Sequence, residues 1–211
     1  MRRNNIILQI LFFAVVMSFA SCSDEKDITG TAWRKNYIME YCDPTTVILS
    51  QSKLFECQIQ IFFDKKIIKP DMAEYDVYSQ LFNDTDFNQK YVPVAPALVL
   101  PIHGINIVCD EEYDECHPKG TYLNDIALFQ GISYFNYVAS HYKENHFETL
   151  KMGISDIVPD QTQLLANDSM ILHLVSGPSK PGVYNFTIEF DFGDKVVKGK
   201  VAMTLNGGGS K

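Results

Sequence analysis

Tyr184, Phe186, Ile188, Phe190 and Phe192 stand at every second position near the C-terminal end of the chain, and Val197, Val201, Met203 and Leu205 answer them after Gly193-Asp194. Side chains alternate across a strand with a period of two, so the first five share one face. Gly-Asp supplies the backbone angles that a two-residue hairpin turn of the primed type needs, which makes the stretch a hairpin with one apolar side. Such a side is stable in water only against a second layer. This end of the chain commits the fold to antiparallel β-structure.

Other segments carry the same period. Phe55, Cys57, Ile59, Ile61 and Phe63 alternate with Glu56, Gln58, Gln60, Phe62 and Asp64, a strand that turns Cys57 inward. Trp33, Tyr37, Met39 and Tyr41 suit an earlier strand, stopped by Asp43-Pro44. Ile105 to Cys109, Ile132 to Tyr142 and Met170 to Val175 read as further strands. The three prolines in Tyr91 to Pro101 delete amide donors and leave an edge strand or an extended crossing segment. Asp71 to Asn83 suits a short helix or a surface excursion, and Thr121 to Phe129 one or two helical turns. The sum is an all-β chain, an antiparallel β-sandwich of immunoglobulin-like architecture with one or two short helices. It forms a single domain over 32–206, with a flexible tail over 207–211.

Ahead of the domain, Arg2 and Arg3 precede an apolar run from Ile6 to Phe19, too short and too near the start for an ordinary spanning helix. Residues 1–21 therefore read as a signal peptide, and the polar residues 22–31 as a flexible tether. The junction Ala20-Ser21-Cys22 resembles the lipobox of bacterial lipoprotein signals. That resemblance implies cleavage before Cys22, a diacylglycerol on its thiol and an acylated amino terminus. Several such chains, at ~0.8 kcal/mol per buried methylene, hold a membrane far more firmly than one. Ser23-Asp24-Glu25-Lys26-Asp27 resembles the acidic surface-export signal of Bacteroides-type lipoproteins. Ile105 to Phe129, through His117-Pro118-Lys119-Gly120 and Leu123-Asn124-Asp125, resembles an uncharacterised family of Bacteroides surface lipoproteins that brings no activity with it. The location implied is the outer membrane of a Gram-negative bacterium, lipid-anchored at the cell surface.

With Cys22 taken by lipid, Cys42, Cys57, Cys109 and Cys116 remain, an even number in an oxidising compartment with three ways to make two disulfides. The short loop from Cys109 to Cys116 favours that pair and leaves Cys42 with Cys57. The same loop crowds five acids, and calcium held by Asp110, Glu112 and Asp114 would relieve their repulsion. The pattern lacks the sixth-position Gly and twelfth-position Glu of a known calcium loop. His103, His117, His141, His146 and His173 make no metal spacing and read as scattered loop or surface residues. No other cofactor motif is present, and no nucleophile elbow or phosphate-cradling glycine loop.

Removing residues 1–21 takes away two of the 18 Lys and Arg and none of the 26 acids, which moves the net charge from −8 to −10. Nucleic acid is a poor partner for such a surface. Arg34 is the one arginine left, so anionic small substrates also fit badly. Tyr75, Tyr78 and Tyr113 lie outside the best strands and are candidates for stacking on a sugar. Asp168-Ser169-Met170 resembles the O-glycosylation site of Bacteroides-type secreted proteins, which would place a glycan on Ser169. The leading expectation is a non-enzymatic binding module for a glycan or an envelope protein; the alternative is a lipid-anchored hydrolase with a carboxylate pair.

Overall fold

Strand β1 (Trp33–Arg34) is followed by β2 (Tyr41–Gln51) and β3 (Gln58–Ile68), then helix α1 (Ala73–Leu81) and three more strands, β4 (Gln89–Lys90), β5 (Ala97–Leu98) and β6 (Gly104–Cys109). After these come β7 (Ala127–Ser133), helix α2 (Phe135–Ala139), β8 (Glu148–Gly153), β9 (Met170–Leu174), β10 (Gly182–Asp191) and β11 (Val196–Leu205). The computed structural model describes residues 33–90, 92–143 and 147–208. The expected signal peptide over 1–21 and tether over 22–31, with Cys22, lie outside the described residues, as does His146. Among the described residues no helix is long and apolar enough to cross a membrane.

The C-terminal hairpin forms in the expected register, with Phe190 opposite Val197 and Phe186 opposite Val201. Gly193 takes φ +89° in the turn, where the Phe192 N–H donates to the Lys195 carbonyl over 2.9 Å. A side chain at that angle would be strained, which accounts for glycine. β6 joins the other edge of β10, giving a three-stranded antiparallel sheet in the order β11-β10-β6. The larger sheet has six strands in the order β5-β2-β3-β9-β7-β8, antiparallel except where β5 lies parallel to Tyr41 and Cys42. Ile59, Ile61, Phe63, Phe129 and Leu172 from the large sheet meet Ile107, Phe186, Ile188 and Phe190 from the small one in one buried cluster. The rings of Phe63 and Phe190 touch edge to face, centroids 5.0 Å apart. Six strands against three is not the four-and-three partition of an immunoglobulin constant-type domain.

The two sheets close along one side, where β11 runs against β2. A Cβ on Gly199 would sit 2.6 Å from Val47 Cγ1 and 2.8 Å from Leu49 Cδ1, so the approach depends on glycine. At the far end of this seam the Gln51 amide donates to the Thr204 carbonyl (2.9 Å) and accepts its N–H (3.1 Å).

Several boundaries depart from the sequence pattern. Asp43-Pro44 does not stop a strand; β2 begins at Tyr41 and passes through both residues, with the register shifting between Pro44 and Thr46. A bulge is where a strand tolerates the missing amide of proline. Trp33 is exposed, and its strand partner among the described residues is Lys90. Phe55 lies in the loop before β3, which extends to Ile68. Ile132 to Tyr142 is not one strand. β7 ends at Ser133, and Tyr134, Tyr137 and Val138 bury the i, i+3, i+4 face of α2. Only Asn124–Ile126 of the segment before β7 is helical, as a 3-10 turn. The proline-rich stretch supplies β5 at the sheet edge, as its prolines allow.

A second buried cluster, rich in tyrosine, fills the space between α1, α2 and the start of β2. At its centre is Asp84, with no exposed surface. Its carboxylate accepts the N–H groups of Tyr37 (2.8 Å) and Ile38 (2.9 Å) and the hydroxyl of Tyr142 (2.8 Å), with the Tyr41 hydroxyl at 3.5 Å. Burial pushes the Asp84 carboxyl above the usual range, and these donors hold it back. Tyr37 meets Phe87, Tyr134 and Tyr137 edge to face within 4.8–5.7 Å.

Candidate functional site

The outer face of the six-stranded sheet is built by the same alternation that fills its inner face. Pairing sets Ser50 opposite Gln60, Gln60 opposite Ile171, and Ile171 opposite Gln130, a single row across β2, β3, β9 and β7. Directly paired residues point to the same side, so the row lies on one surface roughly 14 Å across at the usual strand spacing. Ile48 and Phe62 form the next row, paired with each other. Together they line a groove of about 330 Å³ whose rim carries Asp168 and Ser169, in the turn before β9.

Two features distinguish this face from a plain wet surface. Ile48 and Phe62 are exposed side by side on the outer face of the sheet, where lysine, glutamate or threonine would serve solubility better. The Lys65 ammonium lies 4.3 Å from the Phe62 ring centroid, a cation–π contact. The side-chain amide of Gln130 makes no hydrogen bond within the described residues, and that of Gln60 touches only the Ser50 hydroxyl, at 3.4 Å. Each amide presents a donor and an acceptor side by side. The groove thus offers an apolar floor, the Gln130 amide, the N–H donors of the Gln60 amide, hydroxyls from Ser50 and Ser169, and one carboxylate.

The signal for this site was in the strand pattern: Phe62 is the one aromatic residue among the polar alternates Glu56, Gln58, Gln60 and Asp64. Of the tyrosines singled out for stacking, Tyr75 and Tyr113 are buried. Their hydroxyls donate to the carbonyls of Ile38 (2.5 Å) and Ser176 (2.6 Å), so neither can meet a sugar from solvent. Tyr78 is half-buried, its ring 5.9 Å from that of Tyr41. Ser169 is partly exposed at the groove rim and donates to Asp168 over 2.6 Å.

The four cysteines over the described residues are free thiols. Cys109 occupies an inward position of β6 and is buried, while Cys116 faces solvent, so the two ends of their short loop point apart. Cys42 is buried too, and burial pushes its thiol up to about 12. The acidic loop does not gather its carboxylates either. Among the described residues no three His, Cys, Asp or Glu side chains converge as a metal site, so Asp110, Glu112 and Asp114 do not form a calcium cage.

Asp114 turns inward instead, accepting the N–H groups of Cys116 (2.8 Å) and His117 (2.9 Å). His117 is not a loose loop histidine. Its ring is nearly buried, with Nδ1 2.8 Å from Asp114 and Nε2 3.0 Å from Asp125. Both nitrogens can donate only in the imidazolium form. Burial draws the His117 pKa down, but the hydrogen bonds and charges of Asp125 and Asp114 outweigh it, and the net shift is upward. The stability contributed by this clamp is full below the ordinary histidine value and is lost as pH rises through the raised folded value. Melting curves from about pH 5 to about pH 9 should show wild type ahead of His117→Gln at the acid end, with the margin closing at the alkaline end. A margin independent of pH would mean that the ring acts by shape alone.

Comparisons with protein-family models, with curated proteins and with solved structures give no match.

Proposed function

We propose that the chain is a lipid-anchored lipoprotein displayed on the outer membrane of a Gram-negative cell, and that its domain, a two-sheet β-sandwich, is a non-enzymatic binding module for uncharged glycans. The observation that carries the ligand class is the outer-face groove, where an exposed aromatic ring stands beside two glutamine amides. An aromatic face suits the C–H surface of a sugar ring, and paired donor and acceptor groups suit neighbouring hydroxyls. Net acidity and a single mature arginine favour a ligand without negative charge. The groove lining includes one carboxylate, Asp168, so a two-carboxylate hydrolysis has no footing there.

Titration of the full chain in detergent against a panel of neutral oligosaccharides tests the reading. Phe62→Ala is expected to weaken binding roughly tenfold, the worth of one aromatic contact, with the melting temperature little changed because the ring is exposed. Gln60→Ala with Gln130→Ala should weaken it further. Binding that survives all three substitutions unchanged, or no binding across the panel, would remove the groove from consideration.

A further inference from the structure

The loop between β2 and β3 holds two large apolar side chains out in water. Leu54 is 85% exposed and Phe55 59%, with exposed Lys53 beside them. The loop backbone is nevertheless firmly tied. The Ser52 N–H donates to the Gln58 carbonyl (2.8 Å), and the Ser52 hydroxyl accepts the N–H groups of Leu54 and Phe55 (3.3 Å each). The Gln51 amide bonds the Glu56 carbonyl (2.9 Å), and the Glu56 carboxylate accepts from the backbone and side chain of Asn206. A pair of apolar side chains on a fixed backbone loses little freedom on docking.

At the other end of β2, where β5 pairs with Tyr41 and Cys42, a cavity of about 310 Å³ opens between α1 and the segment Leu98 to Pro101. Leu81, Phe82, Leu98, Leu100 and Leu164 are among its walls, and exposed Val77, one turn before Leu81, extends the apolar lip. The polar side chain within, Gln163, is fully engaged with Ile102 N–H, Ile102 carbonyl and Val158 carbonyl. Exposed Asp160 stands at the lining's edge. The cavity, apolar walls with one carboxylate at the edge, therefore suits one or two apolar side chains flanked by a cation.

Lys53-Leu54-Phe55 has that chemistry. It cannot reach its own cavity, since eleven strand residues at ~3.3 Å each hold the two ends of β2 roughly 33 Å apart. We propose that the loop of one copy seats Leu54 and Phe55 in the cavity of a second copy, with Lys53 against Asp160. The contact is heterologous, knob of one molecule into socket of the next, so it extends end to end and leaves a free knob and a free socket. The exposed charge pair selects the partner and its register, while the buried leucine and phenylalanine supply affinity.

Sedimentation of the full chain in non-ionic detergent over a concentration series tests this. Association is expected to rise with concentration. A carbodiimide, which joins an amine to a carboxylate, should couple Lys53 of one copy to Asp160 of another. Leu54→Ser with Phe55→Ser should weaken association more than about a hundredfold with an unchanged melting temperature, both side chains being in water in the single molecule. Lys53→Asp should weaken it and Asp160→Lys in the mixed partner should restore it. Association indifferent to the Leu54 and Phe55 changes belongs to the lipid anchor and overturns the proposal, as does a monomer at every concentration.

Discussion

Asp84→Ala is expected to lower the unfolding free energy by about 3–5 kcal/mol, since three buried donors lose their acceptor at about 1–3 kcal/mol each, partly recovered by relaxation. The alanine strands two backbone N–H groups, of Tyr37 and Ile38, together with the Tyr142 hydroxyl, in a pocket that admits no water-facing surface at Asp84. A domain of this size should lose about 6–20 °C in melting temperature. Asp84→Asn keeps one acceptor oxygen and should cost less, about 1–3 kcal/mol. The two variants also separate charge from shape. Burial raises the Asp84 carboxyl against the pull of its donors, so the folded chain holds that proton more tightly than the unfolded one. Its contribution is greatest below the unfolded carboxylate value and is lost as pH rises through the folded value. Denaturant unfolding across that window should show the decline in wild type and not in Asp84→Asn. A loss under about 1 kcal/mol for the alanine variant would mean that the turn at Tyr37 holds without its carboxylate.

Cys22→Ala should move the protein from the membrane fraction to the soluble one. The expectation rests on the Ala20-Ser21-Cys22 junction. Without the thiol there is no acceptor for diacylglycerol, and several acyl chains at ~0.8 kcal/mol per methylene are lost together, so the effect is close to all or none. Fatty-acid labelling and fractionation measure it in one experiment. Label that persists in the variant would overturn the anchor and with it the surface location.

The β-structure was legible wherever one strand face is buried and the other wet. Tyr184 to Leu205 shows this best: all nine alternating apolar residues are buried. Legibility failed where distant chain decides the outcome. Pro44 reads as a stop because nothing local announces the bulge that accommodates it. Tyr134, Tyr137 and Val138 carry a helical spacing, but the surrounding aromatic residues favour strand on propensity, and the buried tyrosine cluster overrides it. Asp84 sits in a polar Asn-Asp-Thr-Asp run that looks like an ordinary turn, and its partners lie 46 and 47 residues upstream and 58 downstream. His117 is different, since Asp114 and Asp125 are near it in sequence and a clamp was there to be seen. The groove was half legible: Phe62 is out of place on the polar side of β3, while Gln130 and Ile171 join it only through the pairing of β9.

That pairing also governs when the fold can form. β3 is joined to β9, not to a sequence neighbour on that side, and the Asn167 side chain donates to the Phe63 carbonyl (2.9 Å) and accepts its N–H (3.1 Å), extending the ladder across 104 residues. Closing so large a loop costs chain entropy before any contact repays it, which slows the search for the native pairing. During synthesis, the hairpin of β2 and β3 emerges long before β9 and waits with one edge and one apolar face uncovered. An interval of that kind invites wrong partners. A holding chaperone that shields β3 until the last third of the chain arrives would therefore raise the yield of native protein without touching its final stability.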